Sequence, residues 1–418
     1  MTRNNNIFFN IIVPTKNRRE TLEHTLKCIE SQNYQNYQLI ILDNNSTDGT
    51  ENFIQNLSNK NIVYENSNKN LPMNENWERG LKFCTKGYVS VIGDDDGFFP
   101  NSFDKLNIFL KENKTEIVSW HSNTYYWPNT ESYKKNDIEL YFSESNKKFI
   151  KHSSHETLKK ILEMNILYLE APMIYNSVVD INLINRIKFK KKRDIFFSNG
   201  IPDVYSGMAF LLNSKCFYKV NFPVGLSGVS KSSGGALISK KDKSIDDIIA
   251  NNKSLNITTV PPIPSYYLSI LEPFNKLCEE FANANNYNVN FYRLKMRVML
   301  EIKNETKQNY EFYVKELNLF LNKFKKKYSF YKRILIFCNL FMITFYPITN
   351  RIVIKLDKNT KNIYDASLEA QSKYEFFNKN KIAKLKMIDK KLLISNCFRK
   401  LGIYNIGLTA FRGLKIFT

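Results

Sequence analysis

The chain has 418 residues, 43% hydrophobic and 14% aromatic, which excludes a disordered polypeptide and exceeds what one comfortable core needs, so two or three domains are expected. Its 61 Lys and Arg against 40 Asp and Glu give a net charge of +21, pointing to an anionic partner: a phosphorylated ligand, nucleic acid or an anionic membrane surface. The six cysteines form no CxxC pair, which argues against a zinc ribbon or a disulfide framework.

In chain order, the apolar run 7–13 predicts a short buried strand, and Leu22, Leu26 and Ile29 then recur at helical spacing. Asn17 and Glu20 have the spacing of a capping box at the start of that helix. "IFFNIIVP" is short, interrupted by Asn10 and followed by "TKNRR", so it does not read as a signal peptide and a cytoplasmic chain is expected. A strand at 37–42, the turn "DNNSTDGT", a helix at 50–57, a strand at 62–65, a helix at 73–83 and a strand at 88–92 follow. This alternation predicts a parallel sheet with helices on its faces.

Such sheets bind ligands beyond the carboxyl ends of their strands, near a switch in strand order. Residues 14–18, 43–48 and 94–96 lie at three of those ends. The last group, in "VIGDDDGFFP", sets three carboxylates side by side in a basic chain. They form either a solvated loop or a divalent-cation site. GxGxxG and GxxxxGK[ST] are absent, so the common dinucleotide and P-loop fingerprints are missing.

From 117 to 239 the pattern is mixed: "EIVSWHSNTYYW" is strand-like, a helix is expected at 157–164, and "NGIPDVYSGMAFLLN" opens a helix with Asp203 near its start. "GLSGVSKSSGGA" is a small-residue loop suited to covering a ligand or to serving as a plain linker. Charge and proline mark a boundary near 240–264, beyond which the chain is Lys-rich, aromatic and helical in pattern. The apolar run 334–348 is shorter than the roughly 20 residues of a spanning helix; it reads as a core helix of a C-terminal bundle or, as its basic flanks favour, an interfacial or re-entrant membrane segment.

"IIVPTKNR", "LDNNSTDGT", "MNENWERGLKFCTKGYVSVIGDDDGFFP" and, more weakly, "PDVYSG" together resemble the family 2 glycosyltransferases of GT-A fold. The resemblance covers about 7–110, loosens over 111–240 and ends there. It implies an α/β fold: a Rossmann-like, mostly parallel sheet with flanking helices, here followed by a mainly helical C-terminal region. It also implies a nucleotide-sugar-binding half at 1–110 and an acceptor-binding half at 111–240, while the helical pattern beyond sets off a C-terminal region at 241–418 that is a candidate for membrane association.

For the site, the resemblance implies a nucleotide-diphospho-sugar donor, a divalent cation (Mn2+ or Mg2+) and inversion. Pro14, Thr15 and Arg18 would line the nucleotide pocket, and Asp43 and Asn44 would meet the base, with uracil and thymine both open. Asp94 would lie on the ribose side and Asp95 would hold the metal, with Asp96 assisting. Asp203 would be the base that deprotonates the acceptor, with Glu170 and Asp180 in reserve. No QxxRW motif is present, which argues against a processive synthase.

The expected activity is inverting, metal-dependent sugar transfer to a glycan or lipid-linked glycan of the bacterial surface. It would occur on the inner face of the cytoplasmic membrane, with an anionic membrane surface as partner and no nucleic acid; oligomerisation through the C-terminal region is open. The alternatives are a sugar nucleotidyltransferase, which would need a glycine-rich loop that "VPTKNRRE" lacks, and a non-catalytic membrane-binding scaffold.

Overall fold

The computed structural model describes residues 6–323 and 351–380, apart from 131–134, 144–146, 232, 234–243, 256, 258 and 358. The strands β1 (Phe9–Thr15), β2 (Tyr37–Asp43), β3 (Ile62–Asn66) and β4 (Tyr88–Val91) alternate with α1 (Arg19–Glu30), α2 (Thr50–Gln55) and α3 (Met73–Leu81). They pair in parallel in the order β3-β2-β1-β4. Ile11, Ile12, Val13, Leu39, Ile40 and Ile41 have no exposed surface, because helices cover both faces. Strand order reverses between β1 and β4, so the ends of these two strands form the switch point.

β5 (Gly97–Phe98) and α4 (Ser102–Asn113) come next, then β6 (Ile117–Trp120), β7 (Asn123–Tyr126), β8 (Asp137–Tyr141) and β9 (Phe149–Ser153). The order continues with α5 (Ser154–Leu162), β10 (Ser177–Asp180), α6 (Ile181–Lys191), α7 (Pro202–Asn213), β11 (Cys216–Val220) and β12 (Gly225–Val229). The main sheet extends from β4 through β10-β6-β11-β9, with β10 and β9 antiparallel to their neighbours. Both expected halves therefore contribute strands to one eight-stranded sheet.

A second sheet has the order β13-β8-β7-β12-β5, where β13 is Arg351–Lys355. This late strand pairs antiparallel with β8. The helix Ile363–Asn380 follows, burying Ile363, Ala366 and Ala370 in a cluster with Cys28, Phe99 and Leu140. Helices Leu271–Glu280, Phe291–Ile302 and Lys307–Asn322 bury Leu277, Val298 and Leu317 in the same cluster as Leu158 and Phe210. The expected boundary near 240–264 thus does not divide the hydrophobic core.

The capping box expected at Asn17 and Glu20 is not formed. Arg18 is the N-cap of α1 and its side chain makes no capping bond. Asp48, from the loop after β2, instead accepts the Arg19 N–H at 2.8 Å, and its other oxygen accepts the Thr50 hydroxyl at 2.6 Å at the start of α2. One carboxylate serves two helix starts, where the free backbone N–H groups favour negative charge.

The run 334–348 and the chain end beyond 380 lie outside the described residues. Among the described residues, no helix is long and apolar enough to cross a membrane.

Candidate functional site

β1 and β4 bring Thr15, Arg18 and the aspartate triplet together at the switch point. Asp94 is 2% exposed; its Oδ2 accepts the Thr15 hydroxyl at 2.7 Å and its Oδ1 meets the Arg18 guanidinium at 2.5 Å. Burial pushes the Asp94 carboxyl upward against the pull of Arg18. Pro14 lies past the last residue at which β4 pairs with β1, Ile12, so its missing N–H costs no ladder bond on that side.

Asp95 and Asp96 are held from the far side by β12 and the residues after it. The Asp96 carboxylate accepts the backbone N–H of Gly93 at 2.6 Å and of Gly228 at 2.7 Å, while the Thr25 hydroxyl donates to its carbonyl. Burial, then repulsion from Asp95, pushes its carboxyl upward. Ser230 and Ser233 both donate to Asp95 Oδ2, at 2.6 and 2.5 Å, and Trp127 Nε1 donates to the Asp95 carbonyl at 3.0 Å. A Cβ on residue 228 would fall 1.8 Å from that carbonyl oxygen, so only glycine lets β12 approach so closely.

Of the six carboxylate oxygens in the triplet, five accept a hydrogen bond. The sixth, Asp95 Oδ1, has among the described residues only Arg18, at 3.7 Å. Among the described residues, no group of three or more His, Cys, Asp or Glu is placed to hold a metal ion. A single open carboxylate oxygen nevertheless suits Mg2+ or Mn2+, since such ions are commonly held by one or two carboxylates together with substrate phosphates and water. The donor set thus fits a cation shared with a diphosphate. Asp96, with each oxygen on a backbone amide, shapes the turn.

Asp43 is fully buried, with Oδ1 accepting the Ser46 N–H at 2.8 Å and Oδ2 the Tyr64 hydroxyl at 2.7 Å. Asn44, expected to meet the base, is bonded to the backbone of Leu71. Its Nδ2 donates to the Leu71 carbonyl at 2.9 Å and its Oδ1 accepts the Leu71 N–H at 2.8 Å. An amide doubly bonded to the backbone anchors the 67–71 loop, and the Ser67 hydroxyl also donates to its Oδ1 at 3.3 Å.

Asp203 is the second residue of α7, one past Pro202, and Ile201 is the N-cap. Asp203 is therefore not an N-cap; its carboxyl lies in the first turn, where burial pushes it upward against the backbone N–H groups. Ser206, in the same turn, accepts the Ile174 N–H at 3.1 Å, while the Ile174 carbonyl accepts the Val91 N–H at 3.1 Å. A two-bond chain thus ties the start of α7 to the end of β4, three residues before the triplet. Glu170 pairs with Lys219 at 2.7 Å and is pulled down to about 2, and Asp180 caps α6.

Ser230, Ser233, Trp127 and Thr25 were not singled out by the sequence reading. A signal existed for the serines alone, in the small-residue loop that contains them.

The fold defines a GT-A scaffold, with the aspartate triplet at the switch point of its main sheet. Residues 10–212, just under half of the chain, match the model of glycosyl transferase family 2. Over 99 residues the chain is 31% identical to the GalNAc(5)-diNAcBac-PP-undecaprenol beta-1,3-glucosyltransferase of Campylobacter jejuni, covering 23% of this chain and 32% of that protein. Over 103 residues it is 34% identical to the abequosyltransferase RfbV of Salmonella typhimurium, covering 23% of this chain and 31% of that protein. The chain thus spans about a third of the length of these curated relatives. The crystal structure of S. aureus TarS 1-349 in complex with UDP-GlcNAc overlaps 71% of this chain and 78% of its own, at 17% identity and a TM-score of 0.44. That likeness is too loose to bear on function.

Proposed function

We propose that the protein transfers a sugar, with inversion, from a nucleoside-diphosphate sugar to a hydroxyl of a bacterial surface glycan. The observation that carries this reading is the open Oδ1 of Asp95 in a buried triplet at the switch point, with Arg18 alongside. Asp95 would hold a divalent cation there, which when bound supplies neutralising charge to the departing diphosphate. Arg18 adds fixed positive charge on the same side, and Thr15 and Asp43 shape the nucleotide pocket.

Asp203 takes the proton of the acceptor hydroxyl as its oxygen attacks the anomeric carbon from the face opposite the diphosphate. The new C–O bond forms, the bond to the phosphate oxygen breaks, and the nucleoside diphosphate leaves with the electron pair. Burial raises the proton affinity of Asp203 above that of an ordinary aspartate, in the direction a base requires. The Campylobacter relative is named for an undecaprenyl-diphosphate-linked glycan, which supports a lipid-linked acceptor and a peripheral position on the inner membrane face.

The test is release of nucleoside diphosphate from a panel of nucleotide sugars with Mn2+ or Mg2+, comparing the native chain with Asp95→Asn. Cation-dependent release that is lost in the variant supports the reading. Undiminished release by Asp95→Asn, or in excess chelator, sinks the cation role.

A further inference from the structure

At the C-terminal end of α6, large apolar side chains divide sharply between inside and outside. Phe196 and Phe197 are fully buried, whereas Phe189 is 85% exposed and Ile195 49%. The corner is firmly held. Glu78 Oε2 accepts the N–H groups of Phe196 and Phe197 at 2.9 and 2.8 Å, and the buried Lys191 ammonium donates to the Phe196 carbonyl at 2.9 Å. Phe189 and Ile195 are thus held in water by a pinned backbone.

The unpaired charge around them is positive, since Asp194, exposed between Arg193 and Ile195, pairs with Lys188 at 3.2 Å. Lys190, Lys192 and Arg193 are exposed and, among the described residues, form no ion pair; Lys190 reaches only the Asn213 amide oxygen, at 3.2 Å. Arg193 and Ile195 also line a cavity of about 690 Å3 whose walls carry five basic side chains against three acidic ones. A pocket on a protein partner would accommodate the phenyl ring without needing the cations, whereas an anionic lipid surface uses both.

We propose that this corner docks on an anionic lipid surface, with Phe189 and Ile195 entering the interface and Lys190, Lys192 and Arg193 meeting the headgroups. The chain then leads directly into α7, so docking holds Asp203 beside the membrane. The inference rests on the membrane-side acceptor proposed above and gives it a place on the fold, but its test reads the corner and not sugar transfer.

The three native tryptophans, Trp77, Trp120 and Trp127, are 9%, 2% and 5% exposed, so the indole introduced by Phe189→Trp reports on this corner from an exposed position. The full chain carrying Phe189→Trp is titrated with vesicles of phosphatidylglycerol and phosphatidylcholine, and with phosphatidylcholine alone. A blue shift and protection from iodide quenching are expected with the anionic vesicles only. Combining Lys190→Glu, Lys192→Glu and Arg193→Glu should weaken partitioning by at least about 10-fold. Vesicle binding with unchanged emission overturns the corner but leaves attachment elsewhere on the chain standing. No binding to anionic vesicles at low salt overturns the corner and membrane attachment together. A blue shift that tracks protein concentration without vesicles shows a second copy covering the corner, and also overturns the proposal.

Discussion

Ser233 Oγ lies 2.5 Å from Asp95 Oδ2, across 138 residues of chain, and Ser230 Oγ reaches the same oxygen at 2.6 Å. Two hydroxyls on one oxygen fix the carboxylate plane and leave Oδ1 to face the site. Hydrogen bonds of this kind orient a metal-binding carboxylate, and their loss typically lowers affinity about 10- to 100-fold. Ser230→Ala combined with Ser233→Ala should therefore weaken Mn2+ binding by that factor while the fold persists. Paramagnetic resonance of free Mn2+ measures it without any need for turnover, and unchanged affinity would show that the serines only pack against the triplet.

Asp203→Asn keeps the shape of the side chain but cannot accept a proton. Turnover should fall by roughly 100-fold or more with donor binding nearly unchanged, which separates chemistry from pocket formation. Steady-state rates together with calorimetric nucleotide titration would show the split. A stability loss with full activity per folded molecule would instead assign Asp203 to holding the first turn of α7.

The first four strands and the triplet were legible because each is set by a short local run: Ile11 to Val13, Leu39 to Leu42, and Val89 to Asp96 all carry their signal within a few residues. What closes the site was not legible. Gly228 bonds Asp96 from 132 residues away, and β13 pairs with β8 across more than 200 residues, so no window of sequence contains both partners. The capping of α1 failed for the same reason, since Asp48 supplies from a neighbouring loop what Asn17 and Glu20 were expected to supply locally. The local signal at Asn44 was likewise incomplete: the residue type suits base recognition, but its bonds to Leu71, 27 residues away, lie in no short window.

That geometry makes Asn44 a stability residue. Asn44→Ala leaves the Leu71 N–H and carbonyl without their side-chain partner and should cost about 1–3 kcal/mol. Preference among nucleotide bases should stay as it is. Urea unfolding and competition by UDP, dTDP and GDP would test both halves. A changed base preference with unchanged stability would return Asn44 to the base.

Glu301, on the helix Phe291–Ile302, accepts the Ser265 hydroxyl, and burial pushes its carboxyl from 4.5 up to about 7. Between those two values the folded chain holds a proton that the unfolded chain has released. Stability contributed by this group is therefore complete below about pH 4.5 and is lost as pH rises through about 7. Glu301→Gln cannot titrate, so its unfolding free energy should vary less over that window, by up to about 3 kcal/mol. The helix shares a hydrophobic cluster with α7, so the difference should appear in the main unfolding transition and not in a separate C-terminal phase. Urea midpoints at several values between pH 4.5 and 7.5 would decide it: parallel curves for the two proteins would mean that Glu301 is ionised in the fold, with Arg297 compensating its charge.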